Sequence, residues 1–499
     1  MSSPFSRRRR IWYAVLAAAA LFPGSGNATL VEITAVARPQ FYDDLERAAA
    51  RANQSVFDVL QPACGPVPGP TCSVEQDNIF QEVRELVHTA NEILGTGPTR
   101  YSLRVDDEGL GNALRWTAAE EASAESRAST DFSNGQVTSV SNRITALRLG
   151  ATGFSIAGLG GVPMGDLASV EHAARLGPAG ASQTLSKLGG FFNTSYGLGT
   201  HDPTTFEDAF DFVSVDVTFG VDYRFFPDFV AGFVTGYAVN DVDFDASKSI
   251  VDGGIESEGF SIGAFGMYTW NNVFFSSSLS YQRMDFDIDR FITYPSLNPD
   301  VEGTDTRTRG KTNSDAVTFS ANTGYTYRFG PGKSKTYVLE PSLRLEYTHI
   351  TIAGYSEANV DADEYFALRI AEQTVESLEL TLGLRTSAAV STKYGVFFPF
   401  ARLEWRFELE DETRQTSSQY SALGSAASST VPFGLDSDAI DQNYGTFAVG
   451  VQMILKGGRQ RLLGGAIGDR LSIFSDYRTV FELDNISNHI ITGGLRYTF

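Results

Sequence analysis

The chain has 499 residues, a formal net charge of −21 and only two cysteines, with a mean hydropathy of −0.13 and a pI near 4.7. Binding nucleic acid calls for a basic stripe against the phosphates, and none occurs beyond the first few residues, so nucleic acid is excluded as a partner. Past the N-terminal segment no continuous apolar run reaches the roughly 20 residues that a spanning helix needs, which excludes a helical membrane protein.

The opening "MSSPFSRRRRIWYAVLAAAALFPGSGNATL" sets a basic stretch, Arg7 to Arg10, before an apolar run from Ile11 to Phe22 and the small residues Gly26 and Ala28. This layout predicts an export signal over residues 1–28, cleaved after about Ala28, in preference to an uncleaved anchor. From 29 to 150 the segments "FYDDLERAAARANQSVFDVLQ" and "VEQDNIFQEVRELVHTANEIL" have helical composition, and Ile79, Val83, Leu86, Val87 and Ile93 form one apolar stripe. Between them lies "CGPVPGPTC"; in an exported chain Cys64 and Cys72 read as a structural disulfide, because a metal site would need further ligands nearby. A disulfide-pinned helical hairpin follows, ended by Gly95, Gly97 and Pro98, with two more helical segments around "ALRWTAAEEASAESRAS" and "QVTSVSNRITALRLG". These make a small helical N-terminal domain. Residues 151–187, rich in Gly, Ala, Ser and Pro, read as a linker with one short helix near Asp166 to Leu176.

From about 188 the period becomes two. In "VSVDVTFGVDYRF" Val213, Val215, Val217, Phe219, Val221 and Tyr223 alternate with Ser214, Asp216, Thr218, Gly220, Asp222 and Arg224. Twelve such strands are predicted, near 189–197, 211–224, 229–240, 258–270, 272–286, 314–329, 335–349, 376–391, 394–409, 443–455, 470–480 and 489–499. The connections after even-numbered strands are short ("FPD", "NN", "GPGKS", "TKYG"), apart from "KGGRQRLLGGAIGD" after the tenth. Those after odd-numbered strands are mostly long, notably 287–313 and 410–442. Short turns on one side and long loops on the other are the build of an outer-membrane barrel, with periplasmic turns and surface loops. Tyr223, Phe225, Phe226, Phe229, Trp270, Tyr327, Phe329, Tyr394 and Phe397 collect beside the turns like an interfacial girdle, which a soluble β-sandwich or propeller would not need. The fold class is therefore mainly β, a twelve-stranded antiparallel transmembrane β-barrel carrying a small α-helical N-terminal domain.

In this frame Glu340, Arg344 and Glu346 on one strand and Arg402, Glu404, Arg406 and Glu408 on another must face the lumen, because a midplane Arg facing lipid costs roughly 2–4 kcal/mol. They read as a salt-bridged lining that holds a plug, or as residues that tune ion passage. The five histidines, at 88, 172, 201, 349 and 489, have no metal-ligand spacing, and His88 reads as a polar-face residue of its helix. No nucleophile with a positioned base can be named, "GDLAS" near Ser169 included, so no enzymatic role, metal or cofactor is expected.

The ending "GGLRYTF", with Leu495, Tyr497 and Phe499 on one face, resembles the C-terminal signal by which the barrel assembly machinery recognises outer-membrane proteins. With the export signal, the N-terminal region, the linker and the strands, it makes residues 188–499 similar to the translocator barrel of the autotransporter family. The resemblance implies Sec export, assembly as a monomeric barrel among the outer-membrane lipids of a Gram-negative cell envelope, and a helix threading the pore. Val137 to Leu149, in "NGQVTSVSNRITALRLGATGF", is the first candidate for that helix and Asp166 to Leu176 the second. The region 29–150 departs from the family's long β-solenoid passengers. The expected function is to anchor, and to translocate, this short helical segment at the envelope, on its surface or in the periplasm. The alternatives are a plugged pore or uptake channel, and a surface adhesin acting through the loops 287–313 and 410–442.

Overall fold

The computed structural model describes residues 29–65, 71–118, 121–148, 154–156, 187–332, 335–360, 366–391, 395–410, 415–424, 433–436, 441–455, 470–483 and 485–498. The expected export signal, nearly all of the linker, the second candidate pore helix, Tyr394 and Phe499 lie outside these residues.

The N-terminal region folds into a helical bundle. A single turn, α1 (Leu30–Glu32), continues as a π-turn over Ile33–Ala37 and leads to α2 (Asp44–Cys64), α3 (Val74–Leu94) and α4 (Asp107–Trp116). Both long helices begin in a capping box, Asp43 with Glu46 and Ser73 with Gln76, which satisfies orphan amides at each start. Gly95 stops α3 in the left-handed conformation, φ 69°. The Cys64–Cys72 disulfide joins the end of α2 to the start of α3, with the Cα atoms 5.3 Å apart, and Phe57 stacks on Phe80 at 5.5 Å between the helices.

The two later helical segments divide differently from the expectation. "ALRW" closes α4, and a separate 27-residue helix, α5 (Ala122–Arg148), runs through "TDFSNGQ" without a break. The first candidate pore helix is thus the second half of α5.

Twelve strands follow: β1 (Leu188–His201), β2 (Phe210–Phe226), β3 (Phe229–Phe244), β4 (Gly253–Trp270), β5 (Val273–Tyr294), β6 (Thr304–Tyr325), β7 (Lys335–Ile352), β8 (Gln373–Ser391), β9 (Gly395–Glu408), β10 (Asn443–Leu455), β11 (Arg470–Phe481) and β12 (Ile486–Thr498). Each pairs antiparallel with the next, and Ile486–Gly493 of β12 pairs with His201–Thr194 of β1, closing the cylinder. Closure leaves no edge whose amides and carbonyls would lack partners in hydrocarbon. Tyr327–Gly332 continues β6 past Thr326 along β7, and Phe154–Ile156 pairs in parallel with Gly190–Phe192 of β1.

The segment 287–313, expected to be loop, is instead the top of a tall hairpin: β5 runs on to Tyr294 and β6 begins at Thr304, in unbroken register. The segment 410–442 also contains strand, since Gln415–Tyr420 and Phe433–Asp436 join Tyr355–Ser356 and Leu368–Ile370 in a separate four-stranded sheet.

Polarity reverses along the strands. In the half nearer the short turns, Phe233, Leu279, Phe319, Leu343 and Leu403 are exposed on the outward face, while Thr218, Gln282, Ser320 and Arg344 are buried inside. Nearer the long loops the outward positions of β5 become Asp285 and Asp287, and Met284, Phe286, Ile288 and Ile292 are buried inward. On β3 the change falls after Val239, with Asp241 and Asp243 outward and Val242 and Phe244 inward. At this level Tyr281 bonds Asp315, Tyr237 bonds Glu258, and Tyr347 donates to Glu376 at 3.0 Å, all on the outward face. An apolar outside with a polar inside suits a wall in lipid, and the reverse suits a wall in water around a protein core.

That core is supplied by the bundle. Leu45, Phe57, Leu60, Val83, Leu86 and Leu114 share one buried cluster with Phe132 of α5, with Phe244, Phe286 and Tyr294 of the strand tops, and with Phe366, Tyr420 and Leu435 of the loops. The N-terminal helices therefore do not form a domain apart; they cap the long-loop end of the barrel.

Candidate functional site

The barrel lumen and its capped mouth hold the polar groups that the fold buries. Helix α5 passes through the lumen in one direction. Near its start Glu125 accepts from Tyr355 Oη at 2.7 Å, Ser129 Oγ lies 2.7 Å from Ser314 Oγ, and the Ser129 carbonyl accepts from Gln282 Nε2 at 2.8 Å. Farther on, Gln136 donates to Thr218 at 3.0 Å and Arg143 Nε donates to Asp222 at 2.7 Å, nearer the short turns. Glycines on the inner wall make room: a Cβ at Gly236 would overlap the Gln136 side chain, and one at Gly189 the Arg143 guanidinium. At the turn end Val140, Ile144 and Leu147 pack against inward-facing Phe191, Val230, Val234, Phe265 and Met267.

The opposite wall is charged. Glu340, Arg344, Glu346, Glu404 and Arg406 are buried in the lumen, and Arg402 and Glu408 line it. Arg344 lies 3.5 Å from Glu346, 3.8 Å from Glu379 and 3.9 Å from Glu404. Arg406 reaches Glu379 at 3.2 Å and Glu404 at 3.6 Å, and Tyr444 donates to Glu379 at 2.8 Å. Arg402 lies 3.7 Å from Glu404, and Glu340 accepts from Arg385 at 3.0 Å. Glu408, higher up, accepts from Ser377 Oγ at 2.6 Å and from the Leu378 amide at 2.8 Å. Buried charges persist only when paired in this way.

Sequence reasoning overlooked Glu379, Arg385 and Tyr444, which share the network, and Asp476 and Arg478, which line the same lumen. The parity that selected Glu340 and Arg344 selects Glu379 and Arg385 too, in "ESLELTLGLRT", where they alternate with Leu378, Leu380, Leu382 and Leu384. The partners on α5, Arg143, Gln136 and Asn142, carry no such signal, because their orientation depends on how the helix sits.

At the mouth the bundle is clasped by the loops. Arg115 pairs with Asp208 of the β1–β2 loop and with Asp43 at 2.7 Å, and donates to the Thr204 carbonyl at 3.1 Å. Asp208 also accepts from the Val251 amide at 2.9 Å, tying in the β3–β4 loop. Asn298 donates to the carbonyls of Ser102 at 2.8 Å and Arg100 at 3.2 Å, and Tyr420 donates to Asn53 at 2.9 Å. Within the cap, burial pushes the Glu46 carboxyl up to about 7. His88, expected on a polar face, is buried: its Nδ1 accepts from the Tyr101 amide at 3.1 Å, and burial lowers its pKa to about 4. Thr34 is buried as well.

Of the expected girdle, Phe225, Phe226, Trp270, Tyr327 and Phe329 are exposed beside the short turns. At the C-terminus, Leu495 and Tyr497 pair by backbone with Ile473 and Leu471. Among the described residues no group of three His, Cys, Asp or Glu side chains could hold a metal ion.

A closed twelve-stranded cylinder with an apolar belt, an aromatic girdle and a polar, helix-filled lumen is an outer-membrane β-barrel. The family described as the autotransporter beta-domain matches residues 190–465, more than half of the chain, and the chain belongs to that family. Among solved structures, the translocator domain of the autotransporter NalP from Neisseria meningitidis is similar at 14% identity and a TM-score of 0.43, over 67% of this chain and 93% of that one. The transport unit of AIDA-I from Escherichia coli is similar at 14% identity and 0.42, over 67% and 97%. The β-domain of the Bordetella autotransporter BrkA is similar at 17% identity and 0.35, over 63% and 100%. A comparison with curated proteins finds no match.

Proposed function

We propose that this barrel carries its own N-terminal helices outward and keeps them as a fixed cap on the cell surface, working as an anchor and presenter. The observation that carries the reading is the direction of α5. Its start bonds Tyr355 at the long-loop end and Arg143 bonds Asp222 toward the short turns, and the described residues before α5 pack against the strand tops and loops at that end. In outer-membrane barrels long loops face outward and short turns face the periplasm. Export through the Sec system, insertion by the barrel assembly machinery through a C-terminal signal of Leu495, Tyr497 and Phe499, and a monomeric barrel among outer-membrane lipids belong to the same reading. Cys64–Cys72 then staples the cap, and the charged lining holds α5.

The shared core argues for retention: releasing the bundle would expose Phe286, Ile288 and Tyr294 of the strand tops to water. Thiol labelling tests the orientation, since both native cysteines are in the disulfide. Val36→Cys, at a position 73% exposed in the cap, should react with a membrane-impermeant maleimide in intact cells. Asp228→Cys, at a short turn, should react only after the outer membrane is opened. Protection of position 36 in intact cells, with reaction after opening, would place the cap in the periplasm and overturn the proposal.

A further inference from the structure

The underside of the cap meets the strand tops and loops across a cluster of buried charge. Arg290 of β5 is held by Glu357, with Nε donating to Oε1 at 3.1 Å and Nη2 to Oε2 at 2.7 Å, and Nη2 also donates to the Phe366 carbonyl at 3.0 Å. Arg115 of α4 is held by Asp208 and Asp43. Each of these guanidiniums therefore has its carboxylate. Glu82 of α3 is also docked on this wall, accepting from Tyr294 Oη at 3.2 Å and from Thr304 Oγ1 at 2.8 Å.

Two further carboxyls in the seat have no such partner. Glu121, just before α5, and Glu125, in its first turn, are 2% and 0% exposed. Both Glu121 oxygens and Oε2 of Glu125 lack a hydrogen-bond partner among the described residues, and Arg290 Nη1 bonds neither carboxyl. Glu121 faces Arg290, Glu357 and Asp208, while Glu125 faces Glu357 and accepts from Tyr355 Oη. Tyr420 closes the loop side with its hydroxyl on Asn53 of α2, and Arg127, farther along α5, lies 5.8 Å from the Phe210 ring instead. The seat thus buries two carboxyls in excess of the cations that serve it. A helix start favours an anion, but less strongly than burial without a counterion opposes one. Burial accordingly pushes Glu121 up to about 7 and Glu125 up to about 8.

We propose that these two carboxyls make the seat of the cap a proton-dependent latch, tightest while both carry protons and loosened as the medium turns alkaline. Lifting the cap returns both groups to water, where a glutamate titrates at 4.5. The docking they favour is therefore fully present below pH 4.5 and is lost as the pH rises through 7 and then 8.

The test compares two thiols, each placed singly in the full chain, purified in detergent. Ile292→Cys lies on the inward face of β5 in the core that the bundle covers, and Val36→Cys lies on the exposed side of the cap. The ratio of their maleimide labelling rates cancels the pH dependence of the reagent chemistry and reads how often the cap lifts. It should rise about tenfold or more from pH 6 to pH 8. Glu125→Gln should remove the larger part of that rise. Glu121→Gln and Glu125→Gln together should flatten it to within about twofold and slow labelling of Ile292→Cys at pH 8 below the native rate. Heat-modifiable migration on gels confirms a folded barrel in each sample. A ratio that does not change with pH in the native background would overturn the proposal, as would the full rise in the double variant, which would assign it to Glu46 within the bundle. The purified chain has no inside or outside, so this experiment and the orientation experiment fail separately.

Discussion

The lower and upper halves of the same strands obey opposite rules. On β5, Leu279 and Tyr281 face outward and Gln282 inward, while a few residues higher Asp285 and Asp287 face outward and Phe286 and Ile288 inward. The backbone register with β6 runs through both without a shift. The chain therefore reverses its environment without changing its geometry: below, the apolar phase lies in the membrane, and above, it lies in the bundle that fills the mouth. The same backbone alternation serves a lipid boundary and a protein core in turn.

The largest expected effects separate the two halves. Val217→Arg or Leu343→Arg places a charge on the outward face of the lower half, at roughly 2–4 kcal/mol near the midplane, and should abolish barrel assembly as read by heat-modifiable migration. Ser342→Arg, on the inward face of the same strand, should assemble. Thr218→Arg should not be harmless despite facing inward, because Thr218 is buried against Gln136. In the upper half the outcome reverses: Asp285→Leu, outward and exposed, should change stability by less than about 0.5 kcal/mol. Phe286→Ala, inward, should cost about 3–5 kcal/mol of cap packing while the lower barrel still assembles, so that added protease cuts the bundle faster. Equal behaviour of Asp285→Leu and Phe286→Ala would break the comparison.

The clasp and the staple come next. Arg115→Leu leaves the fully buried Asp208 without its guanidinium and should loosen the cap by about 3 kcal/mol, read as faster amide exchange in α4. Replacing Cys64 and Cys72 by Ser opens a loop with a sequence separation of only 8. The expected loss is about 2–3 kcal/mol in the bundle, with the barrel unaffected.

The same contrast explains what could be read from the sequence. The lower strands announced themselves, because outward Leu343 and Leu345 alternate with inward Arg344 and Glu346 in the expected sense. The upper extensions alternate too, as "MDFDID" shows, yet Asp285, Asp287 and Asp289 resemble a polar loop when strands are sought by a greasy outward face. The full length of α5 was hidden for a related reason. Asp131, Asn134 and Gly135 look like a break, but they line the polar lumen, where Gly135 lies beside the Asp216 carboxylate. The charged network was half legible, since strand parity selects its members on the wall while the helix partners follow from packing alone.

The smallest effect is a pH dependence within the cap, where two buried groups pull in opposite directions. The pKa of His88 is lowered by burial from 6.5 to about 4, so the folded state holds it neutral while the unfolded chain takes up a proton. Its contribution is complete above the unfolded value and is lost as the pH falls, by about 1 kcal/mol between pH 7 and 5.5. Glu46 is raised by burial from 4.5 to about 7, so it binds a proton more readily when folded and contributes more as the pH falls over the same window. Amide exchange at Tyr101, whose N–H donates to His88, reads the balance between them. Glu46→Gln removes the opposing contribution, so acidification from pH 7 to 5.5 should lower protection at Tyr101 further in this variant than in the native chain. His88→Gln should do the reverse. If both variants follow the native pH dependence, the interior of the cap is not as dry as the packing of Leu86, Val87 and Leu103 around this site implies.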